Sequence, residues 1–183
     1  MAKKGLSRQL IARLVLKLIA YQAKKQLGED IIADLADIYG DRFKCWGYRS
    51  DGVFAKNPAI ARAYQGRAWG LDMYKIYARC KIVINRHGEV AKGYSNNMRL
   101  FEATGMGALL MTEDSPNIGQ YFNPGSECIT YKESRDLHSS IEYYLNHQEE
   151  LRMIAKAGQA RTLKDHTYDD ILIPAHRKLI DSL

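Results

Sequence analysis

Two short segments of this chain contain uninterrupted apolar runs. They are Lys81–Asn85 (KIVIN) and Ala108–Thr112 (ALLMT), and Cys128–Tyr131 is predicted as a third short strand. A strand covered on one face alternates apolar and polar residues, whereas a strand covered on both faces is apolar throughout. Because helical patterns separate and follow these segments, the sequence predicts an α/β fold with a parallel sheet and helices on both faces.

Helical periodicity accounts for much of the remaining chain. The helices are predicted at Trp69–Ala78, Asn97–Thr104, Ser134–Asn146, Gln148–Asp165 and Tyr168–Ser182. A short helix or turn is predicted at Pro116–Phe122. The segment Arg42–Tyr48 is β-prone, and residues 53–68 carry little pattern.

The N-terminal part has the pattern of a long amphipathic helix, or two abutting helices, over residues 6–38, with Gly40 as its end. Residues 1–25 carry seven Lys or Arg and no acid, while the other residues carry 20 bases and 21 acids. The net charge of +6 therefore belongs to one segment and does not indicate a nucleic-acid partner. We expect residues 1–40 to form a basic helical segment and residues 41–183 to form one domain.

The apolar stripe of this basic segment must be covered. Packing on the chain's own sheet or pairing in a homodimer is favoured, and an anionic membrane surface comes second. No apolar run is long enough to cross a bilayer. The three cysteines lie far apart and outside any CxxC pattern, which favours a reducing cytoplasm and no structural zinc site. If the basic segment instead binds an anionic membrane surface, we expect the protein to be attached peripherally to the membrane.

Open parallel sheets bind ligands beyond the carboxyl ends of their strands, so the loop after Lys81–Asn85 is the first candidate site. It begins with Arg86 and His87, which can reach a phosphate or a sugar, and His87 can act as an acid or base. A loop histidine held by hydrogen bonds is the competing interpretation. The loop enters a helix whose free N–H groups suit a phosphate, and Arg99 can add a charged contact. Asn117 is expected to border this site.

Glu102 lies on the same predicted helix beside apolar neighbours. A carboxylate in such a place needs a partner, because burying an unpaired charge is costly. Two neighbouring hydroxyls, as on a ribose, would supply two donors at once. A salt bridge to Arg99 or another base is the alternative, and spacing alone favours it.

The stretch Ser95–Gly107 (SNNMRLFEATGMG), followed by ALLMT, resembles the signature of the nucleotide-binding, C-terminal half of GT-B glycosyltransferases. The most similar group is the spore-maturation-protein-like, family-one-type set. The similarity extends to Trp69–His87, Asn123–Tyr131 and Leu145–Tyr168, and covers about residues 40–180. It implies a Rossmann-like domain that holds a nucleotide-diphosphate sugar, with UDP or GDP as the nucleotide and no bound metal or other cofactor.

The resemblance also implies roles for single residues. Glu102 matches the glutamate that takes the ribose hydroxyls. Ser95, Asn96 and Asn97 match the turn near the diphosphate and the sugar. Many relatives carry a second glutamate eight residues before the first, facing the donor sugar, where this chain has Tyr94. Because of this difference, the chain lacks the glutamate that usually contacts the donor sugar at this position.

These assignments predict an enzyme: a glycosyltransferase, or its donor-binding half, that acts on a nucleotide sugar and an unknown acceptor. A complete GT-B enzyme has two Rossmann-like domains, and 183 residues suit one. The chain is then part of a larger enzyme, or a one-domain transferase completed by a second copy or another subunit. The other alternative is a non-catalytic nucleotide-sugar-binding or scaffolding domain. A nucleic-acid-binding module led by the basic segment is the least favoured.

Overall fold

The structure is a computed structural model that describes residues 31–47, 57–87, 91–95 and 97–181. The chain divides into two compact units, Met1–Ala68 and Trp69–Leu183. The basic segment at residues 1–25 and the helix predicted from residue 6 to residue 30 lie outside the described residues. The predicted domain boundary at residue 40 stays a prediction.

In the first unit, two helices enclose a small apolar cluster. Residues 31–39 are helical and are named α1, a 3-10 turn follows at Gly40–Arg42, and α2 is Pro58–Ala63. Ala36 of α1 is buried with Ala59 and Ala63 of α2. These small side chains let the two helices approach closely.

The first unit departs from the sequence expectations in two places. The β-prone segment Arg42–Tyr48 forms one parallel bridge among its described residues, between Cys45 and Tyr64. Helix α2 lies where residues 53–68 showed little pattern. It begins because the Asn57 side chain accepts hydrogen bonds from the N–H groups of Ala59 (2.9 Å) and Ile60 (3.3 Å), and Pro58 occupies the first helical position.

The second unit contains a parallel three-stranded sheet in the order β1–β2–β3. The strands are β1 (Ile82–Asn85), β2 (Leu109–Glu113) and β3 (Ile129–Tyr131). The first four residues of β2 are fully buried, so both faces of the central strand are covered. The α/β fold with a parallel sheet, predicted from the uninterrupted apolar runs, is confirmed.

The described helices of the second unit flank and follow these strands. They are α3 (Gly70–Tyr77), α4 (Arg99–Gly105), α5 (Ser134–Asn146), α6 (Gln148–Asp165) and α7 (Tyr168–Asp181). Helix α4 connects β1 to β2 and contacts both strands, α6 contacts α4 and β2, and α5 contacts β3. A 3-10 turn at Ile118–Gln120 follows β2.

The main core lies between α4 and the sheet. Leu100 and Ala103 of α4 are buried with Val83 of β1 and Leu110 of β2. On the far side of α4, Gly158 brings α6 against the chain before β3, since a Cβ there would collide with the carbonyl oxygen of Glu127. This packing holds α4 in a fixed position beside the carboxyl ends of β1 and β2.

Cys45, Cys80 and Cys128 are free thiols. Within the part of the chain that the structure describes, no helix is both long and apolar enough to cross a membrane.

Candidate functional site

Polar side chains cover the carboxyl ends of β1 and β2. Asn85 and Thr112 are register partners in the sheet, and neither is exposed. The Asn85 Nδ2 group donates a hydrogen bond of 3.0 Å to Thr112 Oγ1. Two adjacent parallel strands therefore end in a polar pair where an apolar pair would be expected from the runs that precede it.

His87 is buried above this pair, with 5% of its surface exposed. Its Nε2 atom lies 2.9 Å from Ser95 Oγ and 3.1 Å from Thr112 Oγ1. Its Nδ1 atom lies 3.4 Å from the Nδ2 group of Asn97. Both ring nitrogens of His87 thus face polar groups of the neighbouring loop, strand and helix start.

Asn97 ties the start of α4 to the end of β1. Its Nδ2 group donates to Asn85 Oδ1 and to the main-chain oxygen of Arg86, both at 3.0 Å. The main-chain oxygen is a pure acceptor, so it fixes which end of the Asn97 amide faces β1. The other end, Oδ1, is buried and accepts no hydrogen bond from the described residues.

Ser95 joins the loop after β1 to the loop after β2. Its N–H group donates to Asn117 Oδ1, and its carbonyl oxygen accepts from Asn117 Nδ2, both at 2.8 Å. Its hydroxyl contacts that of Ser115 as well as His87. Ser95 itself has no exposed surface. These residues form one connected set that we name the strand-end network: Asn85, His87, Ser95, Asn97, Thr112, Ser115 and Asn117.

Arg86 and Glu113 form an ion pair beside the strand-end network. Arg86 Nε donates to Glu113 Oε1 at 2.8 Å, and the N–H group of His87 donates to Glu113 Oε2 at 2.7 Å. The two charged side chains are 27% and 23% exposed. Glu113 thus uses one oxygen for the charge of Arg86 and the other for the main chain of the loop.

Glu102 lies on α4 and is partly buried. Among the described residues, none donates a hydrogen bond to its carboxylate and none forms an ion pair with it within 4.0 Å. Burial raises the pKa of the Glu102 carboxyl, and the positive charge of Arg99 opposes that rise without cancelling it. The Nε group of Arg99 donates a hydrogen bond of 3.2 Å to the hydroxyl of Tyr77.

The predicted site residues therefore fall into two sets. Arg86, His87, Ser95 and Asn97 come together at the strand ends. Arg99 and Glu102 lie on α4, and no hydrogen bond or ion pair in the described part of the chain joins either of them to the strand-end network. Tyr94 is exposed at 53%, and Asn96 lies outside the described residues. The ligand-binding and catalytic roles of all these residues stay predictions.

The sequence reasoning missed several members of this site. Asn85, Thr112, Ser115 and Glu113 received no role, although a polar residue at the end of an apolar strand is a usable signal. Asn117 was expected at the border of the site and lies inside it. Among the described residues, no group of three or more His, Cys, Asp and Glu side chains could hold a metal ion.

Comparison with known proteins places the chain in a family. The family model described as glycosyl transferase-like matches residues 24–174, most of the chain. The chain belongs to this family. No curated protein matches it in sequence. The resemblance to the nucleotide-binding domain of GT-B glycosyltransferases, inferred from the Ser95–Gly107 stretch, is confirmed.

Solved structures of glycosyltransferases share the fold. HepE of Anabaena, in complex with UDP and glucose, is 17% identical with a TM-score of 0.56, and the match covers 72% of this chain and 35% of HepE. A glycosyltransferase of Rickettsia africae ESF-5 is 14% identical with a TM-score of 0.62, covering 82% and 43%. Sucrose-phosphate synthase of Thermosynechococcus elongatus is 14% identical with a TM-score of 0.63, covering 85% and 42%. The match thus spans less than half of each relative.

Proposed function

We propose that this chain is the donor-binding half of a glycosyltransferase and binds a nucleotide-diphosphate sugar. Its family membership and its fold support the class of reaction. Crystal structures of HepE in complex with UDP, with UDP and glucose, and with UDP-glucose support a nucleotide sugar as the ligand.

The observation that carries this proposal is the partly buried Glu102 carboxylate, which accepts no hydrogen bond and forms no ion pair among the described residues. A partly buried carboxylate is stabilised when donors satisfy its oxygens, and its pKa is raised because burial is not offset by such donors. The two vicinal hydroxyls of a ribose offer one donor to each oxygen. The salt bridge that spacing alone favoured is not formed with any described base, although Arg99 acts on the carboxylate through its charge.

The remaining site residues would have to stabilise the negative charge that develops on the leaving group during sugar transfer. The sugar–phosphate bond breaks with its electron pair on the leaving diphosphate, which gains negative charge. N–H groups at the start of α4, together with Arg86 or Arg99, would stabilise this charge more in the transition state than in the ground state. His87 stays our candidate acid or base, with Nδ1 facing Asn97 and Nε2 facing the hydroxyls of Ser95 and Thr112.

Calorimetry on the full chain tests the nucleotide assignment. UDP, GDP and UDP-glucose are titrated into the wild type, Glu102→Gln and Glu102→Ala, with one series in EDTA because we propose that no metal is required. The wild type is expected to bind at least one nucleotide. Glu102→Gln is expected to weaken that binding about tenfold, since each lost hydrogen bond to a charged group contributes roughly 1.5–3 kcal/mol.

Glu142→Gln supplies the matched control. Glu142 is exposed on α5 and its carboxylate makes no hydrogen bond or ion pair among the described residues. The Glu142→Gln substitution removes the same negative charge as Glu102→Gln but lies outside the candidate site. Equal affinity of wild type and Glu102→Gln for every nucleotide would refute the ribose assignment.

A second candidate function is nucleotide-sugar binding without turnover. Tyr94, exposed at 53%, stands where many relatives carry the glutamate that faces the donor sugar. A chain that lacks this contact could hold the donor and leave the sugar in place. Hydrolysis and transfer assays with several acceptors separate the two functions, because binding without any product formation supports the second.

Completion of the catalytic cleft is a further part of this proposal. A second domain, a second copy of the chain or another subunit would supply the acceptor side. A membrane-linked acceptor would suit the basic residues 1–25, placing the protein at the cytoplasmic face of a membrane. Sedimentation of the chain alone and with anionic vesicles measures both associations.

A further inference from the structure

Asn117 makes a two-way hydrogen-bonded pair with the main chain of Ser95. Its Oδ1 accepts from the Ser95 N–H group and its Nδ2 donates to the Ser95 carbonyl oxygen, each at 2.8 Å. An amide side chain thereby pairs with one residue as a neighbouring strand would. The two residues are 22 positions apart, so the pair closes the loop after β1 onto the loop after β2.

The segment that Asn117 holds has an uncommon backbone conformation. Lys92 has φ of +50° and Gly93 has φ of +85°, and the N–H group of Tyr94 closes the turn on the carbonyl oxygen of Ala91 at 2.9 Å. A non-glycine residue with positive φ is unfavourable and persists where neighbouring contacts enforce it. Asn117 supplies two such contacts at the residue that follows the turn.

The position of this segment gives the pairing a functional consequence. Ser95 lies at the carboxyl ends of β1 and β2, the edge at which open parallel sheets bind ligands. Two residues later, Asn97 is bonded to β1, and α4 then begins with Arg99. Ser95 and Asn97 are therefore each held by side-chain amide hydrogen bonds where the chain approaches α4.

We propose that Asn117 is a positioning residue, which fixes the Ser95 main chain and so holds the turn that receives the diphosphate of the nucleotide. This inference rests on the proposed function. Asn117 forms hydrogen bonds with both the N–H and the carbonyl group of Ser95. Asn117 therefore affects ligand binding through the conformation of the turn. Asn117 contributes by fixing that geometry before the ligand arrives, which lowers the cost of binding.

Two substitutions of Asn117 break the pair in different ways. Asn117→Leu keeps the branched shape of the side chain, with larger end groups, and removes both hydrogen bonds to Ser95 together with the one that Asn117 Oδ1 accepts from Ser115 Oγ at 3.3 Å. Asn117→Asp keeps an acceptor for the Ser95 N–H group but places a second carboxylate oxygen against the Ser95 carbonyl oxygen. Asn123→Leu and Asn123→Asp are the controls, because Asn123 is exposed further along the same connection and its side chain makes no hydrogen bond among the described residues.

The measurement compares nucleoside diphosphate with nucleoside monophosphate, using UDP and UMP or GDP and GMP, by calorimetry on the full chain. We expect both Asn117 variants to lower diphosphate affinity about tenfold, the effect of one or two lost hydrogen bonds. Monophosphate affinity should change by much less, so the preference for diphosphate over monophosphate falls. Both Asn123 variants should keep the wild-type preference. A general loss of structure would lower both affinities together and leave the preference unchanged.

Each other outcome contradicts the inference in its own way. If both Asn117 variants fold and keep the wild-type preference for diphosphate over monophosphate, the positioning role is overturned and the proposed function stands. Failure of both variants to fold, judged by circular dichroism and thermal unfolding, makes Asn117 a residue of fold stability and also overturns it. If Asn117→Leu alone fails to fold, Asn117→Asp decides. A wild type that binds no nucleotide overturns the proposed function itself.

Discussion

The polar side chains of the strand-end network form hydrogen bonds with one another, whereas the carboxylate of Glu102 forms none with the described residues. In the network, the side chains of β1, β2 and the loops after them bond to one another across 8 to 27 residues of sequence. Glu102, on the helix that follows the network, is partly buried, and its carboxylate accepts no hydrogen bond from the described residues. Burial raises its pKa, which is the mark of a carboxylate whose lost hydration has not been replaced.

This difference separates residues that build a site from a residue that meets its ligand. A polar group that is satisfied inside the protein contributes to stability, and its loss leaves a partner unpaired. A polar group that is left unsatisfied is retained at a cost to stability, which a ligand can offset. We therefore expect substitutions in the network to reduce stability, with Asn117 also affecting diphosphate binding through the Ser95 main chain, and substitutions of Glu102 to reduce binding.

The largest expected effect is that of Thr112→Val on stability. Thr112 is fully buried, its hydroxyl accepts from Asn85 Nδ2, and it lies 3.1 Å from His87 Nε2. Valine has nearly the same shape but leaves Asn85 Nδ2 without this acceptor and removes the hydroxyl contact to His87 Nε2. The free energy of unfolding, measured in urea, should fall by about 2 kcal/mol.

Thr130→Val is the matched control for this substitution. Thr130 is the register partner of Thr112 on β3, and its hydroxyl makes no hydrogen bond among the described residues. Its replacement should change the free energy of unfolding by about 0.5 kcal/mol or less. Equal losses from the two substitutions would show that the network contributes no more than any strand threonine.

A smaller effect is expected in the pH dependence of Glu102. Because burial raises its pKa in the folded state, the folded chain binds more protons than the unfolded chain between the two pKa values. Stability should therefore decrease as pH rises through this window, and nucleotide affinity should increase as the carboxylate becomes charged. Glu102→Gln should lose both trends in urea and calorimetric titrations from about pH 4 to about pH 8.

An unchanged pH dependence in Glu102→Gln would assign these trends to other groups. Glu142→Gln, exposed on α5, should keep the wild-type trends. Its behaviour separates the effect of a buried carboxylate from that of net charge.

The sequence predicted the strands and the long helices well for a physical reason. Apolar runs such as ALLMT report burial on both faces, and the helical period of Ser134–Asn146 and Gln148–Asp165 reports one buried face. Helix α2 was missed because its six residues are too few to show a period. Asn57 followed by Pro58 was the usable signal, since both favour a helix start.

The site was less predictable than the fold. The ligand-binding role of Glu102 was predicted from the family resemblance. Spacing alone favoured a salt bridge, which Glu102 does not form with any described residue. The pairing of Asn117 with Ser95 depends on the order of the strands and on loop conformation, which no local pattern records. The same holds for the bond between Asn85 and Thr112, since each is an ordinary polar residue until the sheet register brings the two together.

The most direct test is whether Glu102 senses a ribose hydroxyl. Affinities for UDP and 2′-deoxy-UDP, or the guanine pair, are measured in the wild type and in Glu102→Gln, which forms a double-mutant cycle between the protein and the ligand. We predict that loss of the hydroxyl weakens binding to the wild type about tenfold and to Glu102→Gln by a much smaller factor. An equal factor in both proteins would show that the carboxylate does not contact the ribose and would contradict the central claim.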